Sequence, residues 1–189
     1  MDRNGIAVFL DRDGTINEEV EYLINPEQLA LIPQSAAAIK KFNLLNIPVF
    51  VVSNQSAIAR GILTENKLEE IHKLLSTMLL KEDAHITKYY YCPHLIDGVV
   101  NNYAIDCNCR KPKLGMLQKA KDEFGINLNS SFIVGDKLAD VQTGFNAGMK
   151  SILVETGYGI KHKTEAEKYA NYVTKNLYEA SLIIEKLLS

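Results

Sequence analysis

Residues 6–15 read IAVFLDRDGT, a short apolar run that leads directly into two aspartates and a glycine. The apolar residues Ile6–Leu10 predict a buried strand, because a strand covered on both faces shows no alternation of polar and apolar side chains. Gly14 permits a sharp turn of the backbone after the second aspartate. The stretch therefore places Asp11 and Asp13 at the carboxyl end of a buried strand.

Similar short runs recur along the chain, separated by longer segments with helical periodicity. Four further strands are predicted, at Pro48–Ser53, Lys88–Cys92, Phe132–Gly135 and Lys150–Val154. Five helices are predicted, at Ser35–Asn46, Thr64–Leu80, Met116–Phe124, Leu138–Ala147 and Asn176–Leu188. Strand–helix alternation is typical of an α/β fold with a central parallel sheet and right-handed crossovers. Ligands of such sheets bind at the carboxyl ends of the strands.

The composition is that of a globular protein. The chain has 189 residues, of which 47% are hydrophobic and 23% are charged. This length can bury a core without covalent cross-links, so we expect one domain spanning residues 1–189. The net charge of −2 gives no basic excess with which to neutralise phosphates, so we expect no nucleic-acid partner.

The distribution of apolar residues also bears on membrane association and cellular location. No apolar run approaches the roughly 20 residues that a membrane-spanning helix needs, so we expect no membrane partner. The first residues lack the features of a signal peptide, which favours a cytoplasmic protein. The mixed surface charge and the absence of an obvious adhesive element favour a monomer.

Other polar motifs follow the predicted strands. The second strand ends in Ser53-Asn54-Gln55, and the fourth ends in Gly135-Asp136, with Asp140 on the next helical turn. Arg110-Lys111-Pro112 precedes a helix. Each motif alone is a weak signal, since strand ends are often polar and paired cations are often solvated. Together they bring carboxylates, a hydroxyl and a lysine to one edge of the sheet, and carboxylates are the ligands that Mg²⁺ prefers.

The three cysteines form a second cluster with a histidine. Cys92-x-His94 is followed, after a twelve-residue spacer, by Cys107-x-Cys109. Zinc favours tetrahedral sets of cysteine and histidine, and four protein ligands are typical of a structural site. We therefore predict a zinc-binding loop over residues 92–109, with reduced thiols or a Cys107–Cys109 redox couple as alternatives. The remaining histidines, His72, His85 and His162, are expected on helices or the surface and are given no role.

The motifs, taken in this order, resemble the haloacid dehalogenase superfamily of phosphohydrolases over nearly the whole chain. The resemblance implies a Rossmann-like three-layer sandwich that hydrolyses a phosphate monoester through an aspartyl-phosphate. It implies that Asp11 is the nucleophile and that Asp13 is the general acid and base. It further implies that Ser53 and Lys111 bind the phosphoryl group, and that Asp140 orients Lys111 or metal-bound water. The implied Mg²⁺ ligands are Asp11, the main-chain carbonyl of Asp13, and Asp136.

Longer segments narrow the resemblance to one branch. These segments are FLDRDGTIN (residues 9–17), VVSNQSAIARG (51–61), YYCPH (90–94), CNCRKPKLGML (107–117) and VGDKLAD (134–140). They are similar to the heptose-1,7-bisphosphate 7-phosphatase branch, which acts on the route to nucleotide-activated heptose for bacterial surface polysaccharide. The alternatives are a histidinol-phosphate phosphatase, although these typically have a shorter zinc loop, or another small sugar-phosphate phosphatase. The interval between Asp13 and Ser53 is too short for a large cap domain.

The same branch implies a set of substrate contacts. Arg110 suits a second phosphate, because a guanidinium can make a bidentate contact. Ser53 stands where the family usually has threonine, and Glu21 stands where a glycine commonly precedes the tyrosine. The implied substrate-binding residues are Glu19, Val20, Glu21, Tyr22, Ser53, Asn54, Gln55, Ser56, Arg110, Lys111 and Lys137.

Overall fold

The computed structural model describes residues 5–189, which form a parallel sheet flanked by helices on both faces. The spatial order of the strands is β3-β2-β1-β4-β5-β6, and every neighbouring pair is parallel. The strands are β1 (Val8–Leu10), β2 (Val49–Asn54), β3 (Lys88–Cys92), β4 (Phe132–Gly135), β5 (Lys150–Val154) and β6 (Tyr172–Thr174). The chain order reverses at β1, which lies between β2 and β4 in the middle of the sheet.

The helices complete the alternation. They are α1 (Ser35–Leu44), α2 (Glu65–Leu80), α3 (Gly115–Phe124), α4 (Leu138–Asn146), α5 (Gly159–Ala166) and α6 (Leu177–Leu187). The predicted strands and helices are all present, with ends that differ by at most two residues. Two elements, α5 and β6, were not predicted: α5 is highly charged, and β6 has only three residues.

Alternate strand residues divide the core into two layers. Val8 and Leu10 face the side covered by α1, α2 and α6, whereas Phe9 faces the side covered by α3. This follows from the strand geometry, in which successive side chains point to opposite faces. The predicted α/β three-layer sandwich is therefore confirmed. Among residues 5–189, no helix is long and apolar enough to cross a membrane.

The connection from β1 to β2 spans residues 11–48. Within the described residues it holds a 3-10 turn, Pro26–Gln28, and α1, without a further sheet of its own. The structure therefore agrees with the expected absence of a large cap domain between Asp13 and Ser53 among the described residues.

Candidate active site

Three carboxylates converge at the carboxyl edge of the sheet. Asp11 follows β1, Asp136 follows β4, and Asp140 lies in the first turn of α4. One carboxylate oxygen from each lies within 4.8 Å of the others, and all three residues are buried. The sheet brings them together because β1 and β4 are neighbours, with Leu10 in register with Val134. Buried like charges so close together require cations to compensate them.

Lys111 supplies one such cation. Its Nζ donates to Asp11 Oδ1 at 2.8 Å and to the Val52 carbonyl at 2.6 Å, and lies 2.5 Å from Asp140 Oδ1. Burial alone would lower the pKa of Lys111, but the two carboxylates outweigh burial and raise it. The Asn54 side chain holds the lysine backbone through both its amide groups, at 3.0 and 3.1 Å. Lys111 is therefore a fixed ammonium between two carboxylates.

Asp136 retains an oxygen suited to a divalent cation. Its Oδ2 accepts the Tyr158 backbone N–H at 2.8 Å, while its buried Oδ1 has no hydrogen-bond partner within residues 5–189. Burial, and next the neighbouring Asp11, raise the pKa of Asp136 to about 8. A side chain at Gly14 or Gly157 would collide with this carboxylate, so both glycines are required by close approach. An orphaned buried oxygen beside a second carboxylate fits Mg²⁺.

Asp13 lies beside this centre on the same loop. Gln55 Nε2 donates to Asp13 Oδ2 at 3.0 Å and to Ser53 Oγ at 2.8 Å, which joins the ends of β1 and β2. Burial alone would raise the pKa of Asp13, but the Arg12 guanidinium outweighs burial and lowers it, with help from Asn17 and Gln55. Asp13 and Ser53 both border a small cavity that also reaches Asp11.

A larger cavity of about 520 Å³ opens above these residues. Most of the substrate contacts implied by the sequence line it, whereas Val20 is exposed outside the lining and Ser53 borders only the small cavity below. The predicted residues in the lining are Glu19, Glu21, Tyr22, Asn54, Gln55, Ser56, Arg110, Lys111 and Lys137.

Two further cations border the cavity and differ in their pairing. Lys137 Nζ donates to Glu19 Oε2 at 2.6 Å, so its charge is already balanced. Arg110 Nη1 donates to the His94 carbonyl at 3.2 Å, and within the described part of the chain Arg110 makes no salt bridge. Arg110 is thus the cation that remains available to an anionic ligand.

Three residues that line the cavity were not predicted from the sequence. Tyr158 and His162 line the cavity from the start and first turn of α5, and Gln142 lines it from α4. Because α5 was not predicted, no pattern placed Tyr158 or His162 near the strand ends. The glycines at residues 157 and 159, on either side of Tyr158, could have indicated that the backbone passes close to the edge of the sheet here.

The predicted zinc ligands come together in a separate cluster. Their ligand atoms lie within 4.8 Å of one another. Cys92 Sγ is 3.1 Å from Cys109 Sγ and 3.4 Å from Cys107 Sγ, and His94 Nδ1 is 3.3 Å from Cys109 Sγ. The thiols are free, since these separations far exceed a disulfide bond of about 2 Å. Three thiols and an imidazole in one cluster fit zinc.

Comparisons with known proteins agree with this geometry. Residues 108–180 match the Hydrolase_like family model, described as HAD-hydrolase-like. The chain is 36% identical over 187 residues to D-glycero-alpha-D-manno-heptose-1,7-bisphosphate 7-phosphatase of Photorhabdus laumondii, covering 98% of this chain and 100% of the relative. It is 38% identical over 182 residues to D-glycero-beta-D-manno-heptose-1,7-bisphosphate 7-phosphatase of Escherichia coli K12, covering 95% and 94%. The chain belongs to the heptose-1,7-bisphosphate 7-phosphatase family.

A solved structure of a heptose-bisphosphate phosphatase extends the match to three dimensions. D,D-heptose 1,7-bisphosphate phosphatase of B. bronchiseptica, complexed with magnesium and phosphate, superposes with a TM-score of 0.84. The two chains are 28% identical, and the match covers 97% of this chain and 98% of the other. The protein is therefore a haloacid dehalogenase-like phosphatase, a phosphoric monoester hydrolase, over nearly its full length.

Proposed function

We propose that this protein is a Mg²⁺-dependent phosphatase that removes the 7-phosphate of D-glycero-D-manno-heptose 1,7-bisphosphate, in the synthesis of nucleotide-activated heptose for lipopolysaccharide. The observation that carries the proposal is the Asp11 carboxylate, placed between the Lys111 ammonium and the unpaired oxygen of Asp136. The choice of substrate is supported by relatives of similar length that carry this activity in their names.

In this mechanism an Asp11 oxygen attacks phosphorus and forms an aspartyl-phosphate while the bond to the leaving oxygen breaks. Asp13 donates a proton to that oxygen and then takes one from the water that hydrolyses the intermediate. Ser53 Oγ and Lys111 Nζ bind the phosphoryl oxygens as their charge changes. Mg²⁺, held by Asp11, Asp136 and the main-chain carbonyl of Asp13, would offset the repulsion between a phosphate monoester and an anionic nucleophile.

The cavity above this centre supports the proposal that the substrate carries a second phosphate. Arg110 borders it without a carboxylate partner among the described residues, so its guanidinium is available for a bidentate phosphate contact. Of the remaining implied contacts, Glu19, Tyr22 and Lys137 line the cavity and would surround the sugar, whereas Val20 lies outside the lining. Asp140 would act by orienting Lys111, since its Oδ1 lies beside the ammonium and its Oδ2 accepts the Lys137 backbone N–H.

The direct test is phosphate release with Mg²⁺ from both anomers of the heptose bisphosphate and from histidinol phosphate. We expect kcat/KM for the preferred heptose anomer to exceed that for histidinol phosphate by at least about 100-fold, because a substrate with one phosphate leaves the second phosphate site empty and loses a charge-assisted contact. Both anomers are needed, since the relatives from P. laumondii and E. coli are named for different ones. A preference for histidinol phosphate would reject the proposed substrate in favour of the alternative.

Arg110→Ala provides a matched variant for that assay. We expect KM for the bisphosphate to rise about 10- to 100-fold, in line with the loss of a charge-assisted bidentate contact. The KM for a sugar monophosphate without the second phosphate should change by less than about threefold. Arg60→Ala, at an exposed arginine, serves as the control. An equal change for both substrates would show that Arg110 does not bind the second phosphate.

We also propose that Cys92, His94, Cys107 and Cys109 hold one structural zinc ion. The cluster continues directly into Arg110, and the His94 carbonyl accepts a hydrogen bond from that arginine. Ordered cross-links would lower the entropic cost of fixing this loop. The zinc loop would thereby hold both Arg110 and Lys111 at the cavity.

Cys109→Ser is expected to remove the zinc and to lower kcat/KM for the bisphosphate about tenfold or more, because small displacements of positioned groups are costly. The measurements are metal content by mass spectrometry and steady-state kinetics. Asp97→Asn, at an exposed residue of the same loop, should retain one zinc ion per chain and full activity. Wild-type protein purified with zinc available but containing none would contradict the site.

Glu21 gives a prediction that combines backbone strain with charge. Its φ is +59°, in the left-handed region that favours glycine, and its side chain borders the cavity. Glu21→Gly should raise the free energy of unfolding by about 1 kcal/mol and lower KM for the anionic substrate about threefold. Gln34→Gly, at a φ of +67° outside the cavity lining, should gain a similar free energy of unfolding with an unchanged KM. A raised KM in Glu21→Gly would mean that the glutamate binds substrate.

We further propose that residues 1–189 act as one phosphatase domain, with the zinc loop 92–109 inside it. The composition and charge support a cytoplasmic monomer that acts on a small phosphorylated sugar. Sedimentation of the metal-loaded protein at micromolar concentration tests the monomer, and limited proteolysis that releases a stable fragment would contradict the single domain.

A further inference from the structure

A buried arginine lies behind the site and has no part in the proposed mechanism. Arg12 is fully buried, and it is the largest of the side chains that are completely inaccessible in residues 5–189. It follows Asp11 directly and precedes Asp13, so its backbone belongs to the catalytic loop. Burying a guanidinium is costly unless its donors are paired, so the partners of Arg12 are informative.

The guanidinium is aimed at Asp13. Arg12 Nε donates to Asp13 Oδ1 at 3.0 Å, and Nη2 donates to Oδ1 at 2.9 Å and to Oδ2 at 2.7 Å. Asn17 Nδ2 adds a donor to Oδ1 at 2.9 Å, and Gln55 adds the donor to Oδ2 described above. A planar guanidinium fixes both the place and the plane of a carboxylate that it contacts in this way. Asp13 is thus held in one orientation at the edge of the cavity.

The far side of Arg12 is held by a helix. Arg12 Nη1 lies 3.4 Å from His72 Nε2, on the buried face of α2. An arginine can only donate, so His72 Nε2 must accept, and the imidazole is neutral with its proton on Nδ1. Burial, and next the Arg12 charge, lower the pKa of His72 to about 3, which agrees with a neutral ring.

His72 is itself fixed by packing. Its ring stacks on Tyr89 of β3, with centroids 4.5 Å apart and planes inclined by 18°. The Tyr89 hydroxyl is 2.9 Å from Ser76 Oγ, one turn further along α2. The chain Tyr89–His72–Arg12–Asp13 therefore connects β3 and α2 to the catalytic loop. From the sequence, His72 was expected on a helix or the surface and was given no role. In the structure it lies on α2, but it is buried and contacts this loop.

We propose that Arg12 is a positioning residue that places the Asp13 carboxyl for proton transfer to the leaving oxygen, and that His72 is its buried support. The inference rests on the proposed function of Asp13 as general acid. Arg12 stays protonated throughout. The negative charge of the bound substrate favours uptake of a proton from solvent by Asp13. That proton passes to the leaving oxygen as the phosphorus–oxygen bond breaks, and the resulting carboxylate returns to the guanidinium fork.

The test uses two substrates whose leaving groups differ in their need for a proton. The heptose alkoxide must be protonated as it leaves, whereas para-nitrophenolate is stable without a proton. Because kcat/KM reports the steps up to departure of the leaving group, the second substrate bypasses the acid. For Arg12→Lys we expect kcat/KM to fall about 30- to 100-fold with the heptose bisphosphate and less than about threefold with para-nitrophenyl phosphate. General loss of folded protein would lower both values equally.

Two reference variants show what a selective and a non-selective loss of kcat/KM look like with these two substrates. Asp13→Asn should show the same leaving-group selectivity, while Ser53→Ala should lower kcat/KM for both substrates alike, because Ser53 contacts the phosphoryl group itself. If Asp13→Asn is not selective, the general acid assignment fails and this inference fails with it. If Asp13→Asn is selective but Arg12→Lys, with the circular dichroism spectrum of the wild type, lowers kcat/KM for both substrates equally, the assignment of Asp13 stands and the role of Arg12 is wrong.

If Arg12→Lys does not fold, variants of His72 test the proposed positioning role. His72→Leu leaves Arg12 in place and removes its acceptor together with the stacking on Tyr89, so we expect a selective loss of about three- to tenfold with the heptose bisphosphate. His72→Gln should restore most of that loss, because an amide oxygen can accept from Arg12 Nη1. A leucine variant with wild-type selectivity, or a glutamine variant no better than leucine, would contradict the proposed support.

Discussion

Asp11→Asn is expected to lose at least about 10⁴-fold in kcat for phosphate release while the protein stays folded. Asparagine has nearly the same shape as aspartate, but its amide does not act as a nucleophile towards phosphorus. Lys111 would keep two of its partners, Asp140 and the Val52 carbonyl, so the buried ammonium would not be stranded. The loss should therefore appear in turnover and not in thermal stability.

The covalent intermediate gives a second readout for this variant. Acid quenching with ³²P-labelled substrate should trap labelled protein in the wild type and none in Asp11→Asn. Asp122→Asn, at an exposed residue of α3, is the control for an aspartate-to-asparagine change away from the site and should keep full turnover. Turnover within tenfold of wild type in Asp11→Asn would reject Asp11 as the nucleophile.

Lys111→Met should reduce both activity and stability. Methionine removes the ammonium and leaves Asp11 and Asp140 buried without their shared cation. Breaking a buried ion pair from one side costs about 3–5 kcal/mol in the free energy of unfolding. The phosphoryl group would also lose a charged donor, which is worth about 10²- to 10³-fold in kcat. Urea unfolding without divalent cations and phosphate release with Mg²⁺ measure the two effects.

A double variant separates the two roles of Lys111. Lys111→Met combined with Asp140→Asn removes one stranded carboxylate, so it should recover part of the lost stability, since buried pairs are not additive. Turnover should stay low, because the donor to the phosphoryl group is still missing. Recovery of turnover along with stability would mean that Lys111 only neutralises Asp140 and does not act on the substrate.

The sequence predicted those candidate site residues that lie at the carboxyl ends of strands. Asp11, Ser53 and Asp136 each directly follow or end a buried apolar run, and a parallel sheet brings such positions to one edge without any long-range information. Lys111 has no strand of its own, and its place in the site came from the resemblance. The structure adds the reason for that place, which is the pair of hydrogen bonds between the Asn54 side chain and the lysine backbone.

What the sequence did not show depends on contacts between distant elements. A charged residue such as Arg12 is ordinarily exposed, and nothing in its neighbourhood in the sequence indicates burial. Its partner His72 is sixty positions away on α2, among residues with a clear apolar stripe. Helix α5 was missed for a related reason: it packs through few apolar residues, so it leaves no periodic pattern.

The position of β1 in the sheet also determines how the active site responds to partial unfolding. Asp11 N–H donates to the Val134 carbonyl at 2.9 Å, so the proposed nucleophile is attached to the central ladder between β1 and β4. Amide hydrogens in such a ladder exchange with solvent only when the cooperative unit opens, whereas edge strands and surface loops open more often. The Asp11 carboxylate is therefore expected to keep its position for the lifetime of the native state.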